Sequence, residues 1–170
     1  MTLRRMNWSF VLVTSVLLTG CETNQFQQEV QTEEAAVKLA NETVAGGYEL
    51  ITTATLKKML NDDDEFLLVD AMPTEKFETG HLSGAVNFTF PKEVMDDWNE
   101  TTMGDKTQSD FQTLLGENRE RAIVFYCGFV KCARSHNAAV YAQKLGYTNV
   151  LRYPGGIYAW RGAGHPLTTD

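Results

Sequence analysis

The chain has little of what would mark a metalloprotein, a nucleic-acid binder or a polytopic membrane protein. Three histidines and three cysteines are spread over 170 residues. The one grouping of the two, Cys127, Cys132 and His136, lacks a fourth ligand, which argues against zinc. The acidic run Asn61-Asp62-Asp63-Asp64 lacks the glycine and distal glutamate of a calcium loop and reads as a solvated turn. Fifteen basic against 22 acidic side chains give a formal charge of −7, with no basic run beyond the first residues, which argues against a nucleic-acid partner. No internal repeat and no second domain are visible, and 43% hydrophobic residues suffice for one substantial core. The apolar stretch near the N-terminus, Trp8 to Leu18, is too short to span a bilayer comfortably.

That stretch follows Arg4 and Arg5 and runs into small residues before a cysteine, the pattern of a secretory signal. Leu18-Thr19-Gly20-Cys21 resembles a bacterial lipobox, which implies cleavage before Cys21 and lipidation of its sulfur and new amino group; the alternative is an ordinary signal peptide that leaves a free thiol. Several acyl chains on one residue anchor a protein stably. The expectation is a periplasm-facing, lipid-anchored protein of the bacterial cell envelope. Glu22 does not resemble the aspartate associated with inner-membrane retention, which favours the outer membrane. Cleavage removes both arginines and leaves 13 basic against 22 acidic side chains, a charge of −9.

The expected organisation is a signal at 1–20, a tether and short amphipathic helix at 21–46, and one domain at 47–170. Glu22 to Thr32 is polar and glutamine-rich and reads as tether, whereas Glu33 to Val44 carries Ala36, Val37, Ala40 and Val44 at helical spacing. Strands are expected at Tyr48–Ile51, Phe66–Asp70, Ala85–Phe88, Ala122–Tyr126 and Asn149–Tyr153, separated by helical patterns. Thr52 or Thr53 caps the first of those helices and Pro73 opens the second. Part of Pro91 to Thr107 and the segment Asp110 to Asn118 are expected to be helical, and a last helical turn starts at Ile157. Strands alternating with helices predict a parallel sheet with right-handed crossovers, whose ligands bind beyond the carboxyl ends of the strands.

Chemistry is concentrated where the apolar strand Ala122–Tyr126 ends at Cys127 and a helix starts near Ser135. Unpaired N–H groups in a tight loop and at a helix start attract an anion, and a thiolate is one. Lys131 and Arg134 add charge, so Cys127 is expected to be a nucleophile with a depressed pKa. The loop Gly128, Phe129, Val130, Lys131, Cys132, Ala133 and Arg134 is the expected substrate cradle.

This loop resembles the active-site loop of the rhodanese (sulfurtransferase) family, in which a cysteine follows a strand and a helix opens with Arg-Ser. Val69-Asp70-Ala71 with Gly80-His81, Gly84-Ala85 and Asn87 resembles the family's first signature. Gly146-Tyr147, Pro154-Gly155-Gly156-Ile157, Ala159-Trp160, Gly164 and Pro166 resemble its C-terminal one. The resemblance runs from about Tyr48 to Leu167 and implies an α/β three-layer fold with a parallel sheet of about five short strands and helices on both faces. Two departures stand out. The Arg-Ser pair comes two residues later than in the commonest loop, with Cys132 inside it, and Met72 stands where the family usually has an arginine. His81 is usually structural in the resembled family.

What the resemblance implies is an envelope sulfurtransferase that needs no metal or organic cofactor. Cys127 would take sulfane sulfur from a small anion such as thiosulfate, or from a persulfide, and hand it to a thiol, a protein thiol or cyanide. Two other readings stand beside it. One is a non-catalytic binding module or redox sensor with a Cys127–Cys132 disulfide. The other is a phosphatase or arsenate reductase, disfavoured because the arginine expected six positions after the cysteine is Ala133.

Overall fold

The computed structural model describes residues 24–169; the expected signal at 1–20 and Cys21 lie outside them. Five strands, β1 (Glu49–Leu50), β2 (Phe66–Asp70), β3 (Val86–Asn87), β4 (Ala122–Tyr126) and β5 (Val150–Tyr153), form one sheet in the order β1-β5-β4-β2-β3. Every pairing is parallel. β4 is central because its side chains are apolar in both directions: Ile123 and Phe125 pack into one cluster, Val124 and Tyr126 into the other.

The helices are α1 (Gln25–Gly46), α2 (Thr53–Asn61), α3 (Thr74–Thr79), α4 (Gln108–Leu115), α5 (Arg134–Lys144) and α6 (Gly156–Gly162). Phe111 and Leu115 of α4 and Ala138, Ala139 and Ala142 of α5 cover one face of the sheet. Leu56 of α2 and Ile157 and Trp160 of α6 cover the other, completing the expected α/β three-layer fold. The small residues of α5 let its backbone approach the sheet closely, whereas one fully buried leucine such as Leu56 contributes about 2 kcal/mol.

Two segments differ from the sequence expectation. The stretch read as a tether is helical from Gln25, and α1 is one continuous helix of 22 residues. Glutamine, glutamate and alanine are good helix formers, and Asn24 Oδ1 caps the start by accepting the Phe26 N–H at 3.0 Å. Conversely, 91–107 forms turns and no helix. Its apolar residues are anchored one at a time: Trp98 enters the aromatic group of Phe88, Phe90, Phe111 and Tyr141. Asn137 of α5 donates to the carbonyls of Pro91 and Glu93 and accepts from the Met95 N–H. These tertiary bonds take backbone groups that a helix would need. α4 accordingly starts at Gln108, two residues earlier than expected, behind a Thr107–Asp110 capping box.

Candidate active site

Cys127 follows the last residue of β4 and is completely buried. The loop beyond it turns through a Cys132 N–H bond to the Phe129 carbonyl (3.0 Å) and enters α5 at Arg134. The start of α6 holds the front of the loop, because the N–H groups of Ile157 and Tyr158 donate to the carbonyls of Cys127 (3.0 Å) and Gly128 (2.9 Å). This approach requires glycine at 156. Its φ is +56°, and a Cβ there would lie 2.0 Å from the Cys127 oxygen.

Both loop cysteines are free. The Cys127 thiol faces the carbonyls of Cys132 (3.5 Å) and Phe129 (3.9 Å), and its sulfur lies 3.3 Å from Ser135 Oγ. Burial pushes this thiol well above the ordinary cysteine range, and its neighbour Cys132 pushes it further; only the hydroxyl and N–H of Ser135 act in the opposite sense. The expected depression is found instead on Cys132, which is lowered to about 6. The Cys127 thiol donates to it, and the N–H groups of Arg134 and Gly128 and the Arg134 charge add to the effect. The loop amides therefore converge on the second cysteine, which is half-buried, and not on the first.

The expected cradle is divided. Phe129 and Val130 are exposed, and the Phe129 ring sits 5.5 Å from that of Tyr158. Lys131 points away from the thiols: its Nζ is 3.9 Å from Glu34 Oε2, while its carbonyl accepts from Lys38 Nζ. Arg134 donates to the Phe90 carbonyl and lines a groove of about 310 Å³ with Pro73, Phe90, Met103 and Lys106. Met72 occupies the family's arginine position with its sulfur beside Gly128 and its N–H on Asp70 Oδ1 (2.8 Å). His81 is buried, stacks on Phe77 at 3.9 Å between ring centres and bonds the Phe77 carbonyl through Nδ1.

Sequence reasoning missed Arg152. It is fully buried on β5, and its Nε donates to Ser135 Oγ (3.0 Å) while Nη2 donates to the Cys132 carbonyl (3.0 Å). Nη1 reaches Glu42 Oε2 of α1 (2.6 Å) and the Tyr48 hydroxyl (2.9 Å). Tyr48 in turn donates to His136 Nδ1 (2.8 Å), whose pKa is lowered by burial. A single arginine inside the otherwise apolar stretch Val150-Leu151-Arg152-Tyr153, on the strand next to β4, is the sequence signal that marks it. The chain Glu42–Arg152–Ser135–Cys127 thus links α1 to the loop sulfur.

A parallel α/β sheet carrying a two-thiol loop between its central strand and the following helix defines the class: a three-layer α/β domain with a buried cysteine at the end of its central strand. Residues 52–163 match the rhodanese-like domain, and the chain belongs to that family. It is 33% identical over 134 residues to the HTH-type transcriptional regulator Rv0324 of Mycobacterium tuberculosis, covering 78% of this chain and 51% of that protein. The chain thus spans about half the length of this curated relative. Among solved structures, the polysulfide-sulfur transferase homodimer of Wolinella succinogenes superposes with a TM-score of 0.55 at 16% identity, over 79% of this chain and 89% of that one. The single-domain sulfurtransferase RDL2 of Saccharomyces cerevisiae gives 0.51 at 18% identity, over 69% and 91%. At these identities the two superpositions establish a common fold.

Proposed function

We propose that the protein is a sulfurtransferase of the bacterial envelope that carries sulfane sulfur on Cys127. The observation that supports this most directly is the Cys127 sulfur, buried at the end of β4 between the Ser135 hydroxyl and the Cys132 thiol. When the loop admits a donor such as thiosulfate, Cys132 takes the Cys127 proton and the freed Cys127 sulfur attacks the donor's outer sulfur. The donor S–S bond breaks, sulfite leaves with the electron pair, and Cys127 holds a persulfide. Ser135 accepts from the Arg152 cation, so its own hydrogen is free to stabilise the sulfur anion. A thiol or cyanide then removes the outer sulfur. The test is thiosulfate-dependent thiocyanate formation by the full chain, abolished in Cys127→Ser. Full activity in that variant would sink the assignment.

The lipobox-like Leu18-Thr19-Gly20-Cys21 supports placing this activity on a lipid-anchored, periplasm-facing protein, with the outer membrane favoured by Glu22. Cys21→Ala should release it from membranes, and a wild-type protein found soluble in the periplasm would refute the anchor. A second reading, a redox-sensing module, is favoured by the contact between two free thiols and by a relative named as a regulator. Recovery of the native protein as a stable Cys127–Cys132 disulfide without sulfur-transfer activity would support it.

A further inference from the structure

Cys132 is folded back onto the sulfur that would carry the persulfide: its carbonyl lies 3.5 Å from Cys127 Sγ, and each thiol shifts the titration of the other. The turn that brings them together is already formed, since the Cys132 N–H is bonded to the Phe129 carbonyl three residues back. The surroundings of Cys127 also disfavour a resting anion, because the carbonyls of Cys132 and Phe129 face it and are acceptors for a protonated sulfur. The N–H groups of Gly128 and Arg134 serve Cys132 instead. A persulfide is anionic near neutrality, so one placed on Cys127 sits in a poor site with a ready nucleophile against its inner atom.

Resting on the sulfurtransferase reading, we propose that the loop also reduces sulfane sulfur: Cys132 attacks Cys127 Sγ of the persulfide, closes the Cys127–Cys132 disulfide and expels the outer sulfur as hydrosulfide. The bond formed is Cys127 Sγ–Cys132 Sγ and the bond broken is Cys127 Sγ to the outer sulfur, which leaves with the electron pair and takes the proton that Cys132 accepted from Cys127 during loading. The transferred sulfur is reduced by two electrons and the two cysteines are oxidised by the same number. A dithiol reductant must then reopen the disulfide, so the complete cycle consumes a sulfane-sulfur donor and a dithiol and produces sulfide. An external acceptor has to reach a fully buried sulfur, whereas Cys132 is in place at a very high effective concentration. Discharge to sulfide therefore follows loading when no external acceptor is present.

The test uses the reduced full chain, freed of reductant and mixed with thiosulfate alone, with sulfite, sulfide and intact mass followed together. The expected result is roughly one equivalent each of sulfite and sulfide, a chain two hydrogens lighter, and recovery of both thiols on adding dithiothreitol. In Cys132→Ser, any sulfur loaded should stay on Cys127 as a persulfide, one sulfur heavier, with no sulfide. Wild-type protein that releases sulfite but keeps the extra sulfur and yields no sulfide would overturn this proposal while leaving the sulfurtransferase reading intact. Release of neither sulfite nor sulfide would overturn both.

Discussion

Arg152 Nε donates to Ser135 Oγ at 3.0 Å, and the same oxygen lies 3.3 Å from Cys127 Sγ, so a cation with no exposed surface acts on the loop sulfur through one hydroxyl. The relay leaves the Ser135 hydrogen available to the sulfur. It also ties Cys132 in place, because the same guanidinium holds the Cys132 carbonyl.

Ser135→Ala should lower kcat/KM for thiosulfate-to-cyanide transfer by about a hundredfold, the usual effect of losing one donor to a developing anion. Stability should fall by about 1–3 kcal/mol, since Arg152 Nε loses a buried acceptor. Steady-state kinetics and urea unfolding measure the two effects separately. Unchanged kinetics would remove Ser135 from the mechanism.

Glu42→Ala leaves the Arg152 charge buried without its carboxylate, a loss on the order of 3–5 kcal/mol. Thermal unfolding of the variant should show it. A change within experimental error would mean that α1 contributes nothing to the stability of the site.

Iodoacetamide should modify Cys132 before Cys127, with half-maximal rate at a pH of about 6. Peptide mass spectrometry after partial alkylation gives the order. Cys127 modified first at that pH would reverse the assignment of the two thiols.

The Asp70 carboxyl is pushed up by burial, against the opposing Met72 N–H, Tyr126 hydroxyl and His81. A carboxyl raised in the folded state favours folding below its unfolded pKa of about 3.9, and that contribution disappears as pH rises through the folded value. Asp70→Asn keeps the acceptor for the Met72 N–H without the charge. Its melting temperature should therefore gain on wild type as pH increases above about 4. A difference that is flat from pH 4 to pH 8 would contradict the raised value.

Gly156→Ala places a Cβ 2.0 Å from the Cys127 oxygen at a φ of +56°. Helix α6 must pull away from the loop, and both sulfur transfer and stability should drop, the latter by more than about 1 kcal/mol. Wild-type unfolding and activity in this variant would show that the clamp on Cys127 is dispensable.

The strands β2 and β4 were legible residue for residue, because residues 66–69 form a short apolar run closed by Asp70 and Ala122–Tyr126 is one that opens after Arg121 and ends at the Cys127-Gly128 loop. Thr52 caps α2 as its spacing indicates, and Gly146 adopts a positive φ just past α5. Local pattern also located the loop between strand end and helix start, and the order of strands and helices was enough for a parallel three-layer fold. These features depend on neighbours in the chain, which is why sequence alone determines them.

Tertiary structure decided the rest. Gly128 and Arg134 present their N–H groups to Cys132 because of how the loop folds back, and burial then separates two thiols that look alike in sequence. Lys131 is drawn off by Glu34 of α1, and Arg134, which donates to the Phe90 carbonyl, acts on Cys132 and not on Cys127. The charge that reaches the Cys127 sulfur comes from Arg152, paired to Glu42 across 110 positions of sequence. Electrostatics depends on distance and burial in three dimensions, and neither is a property of local spacing.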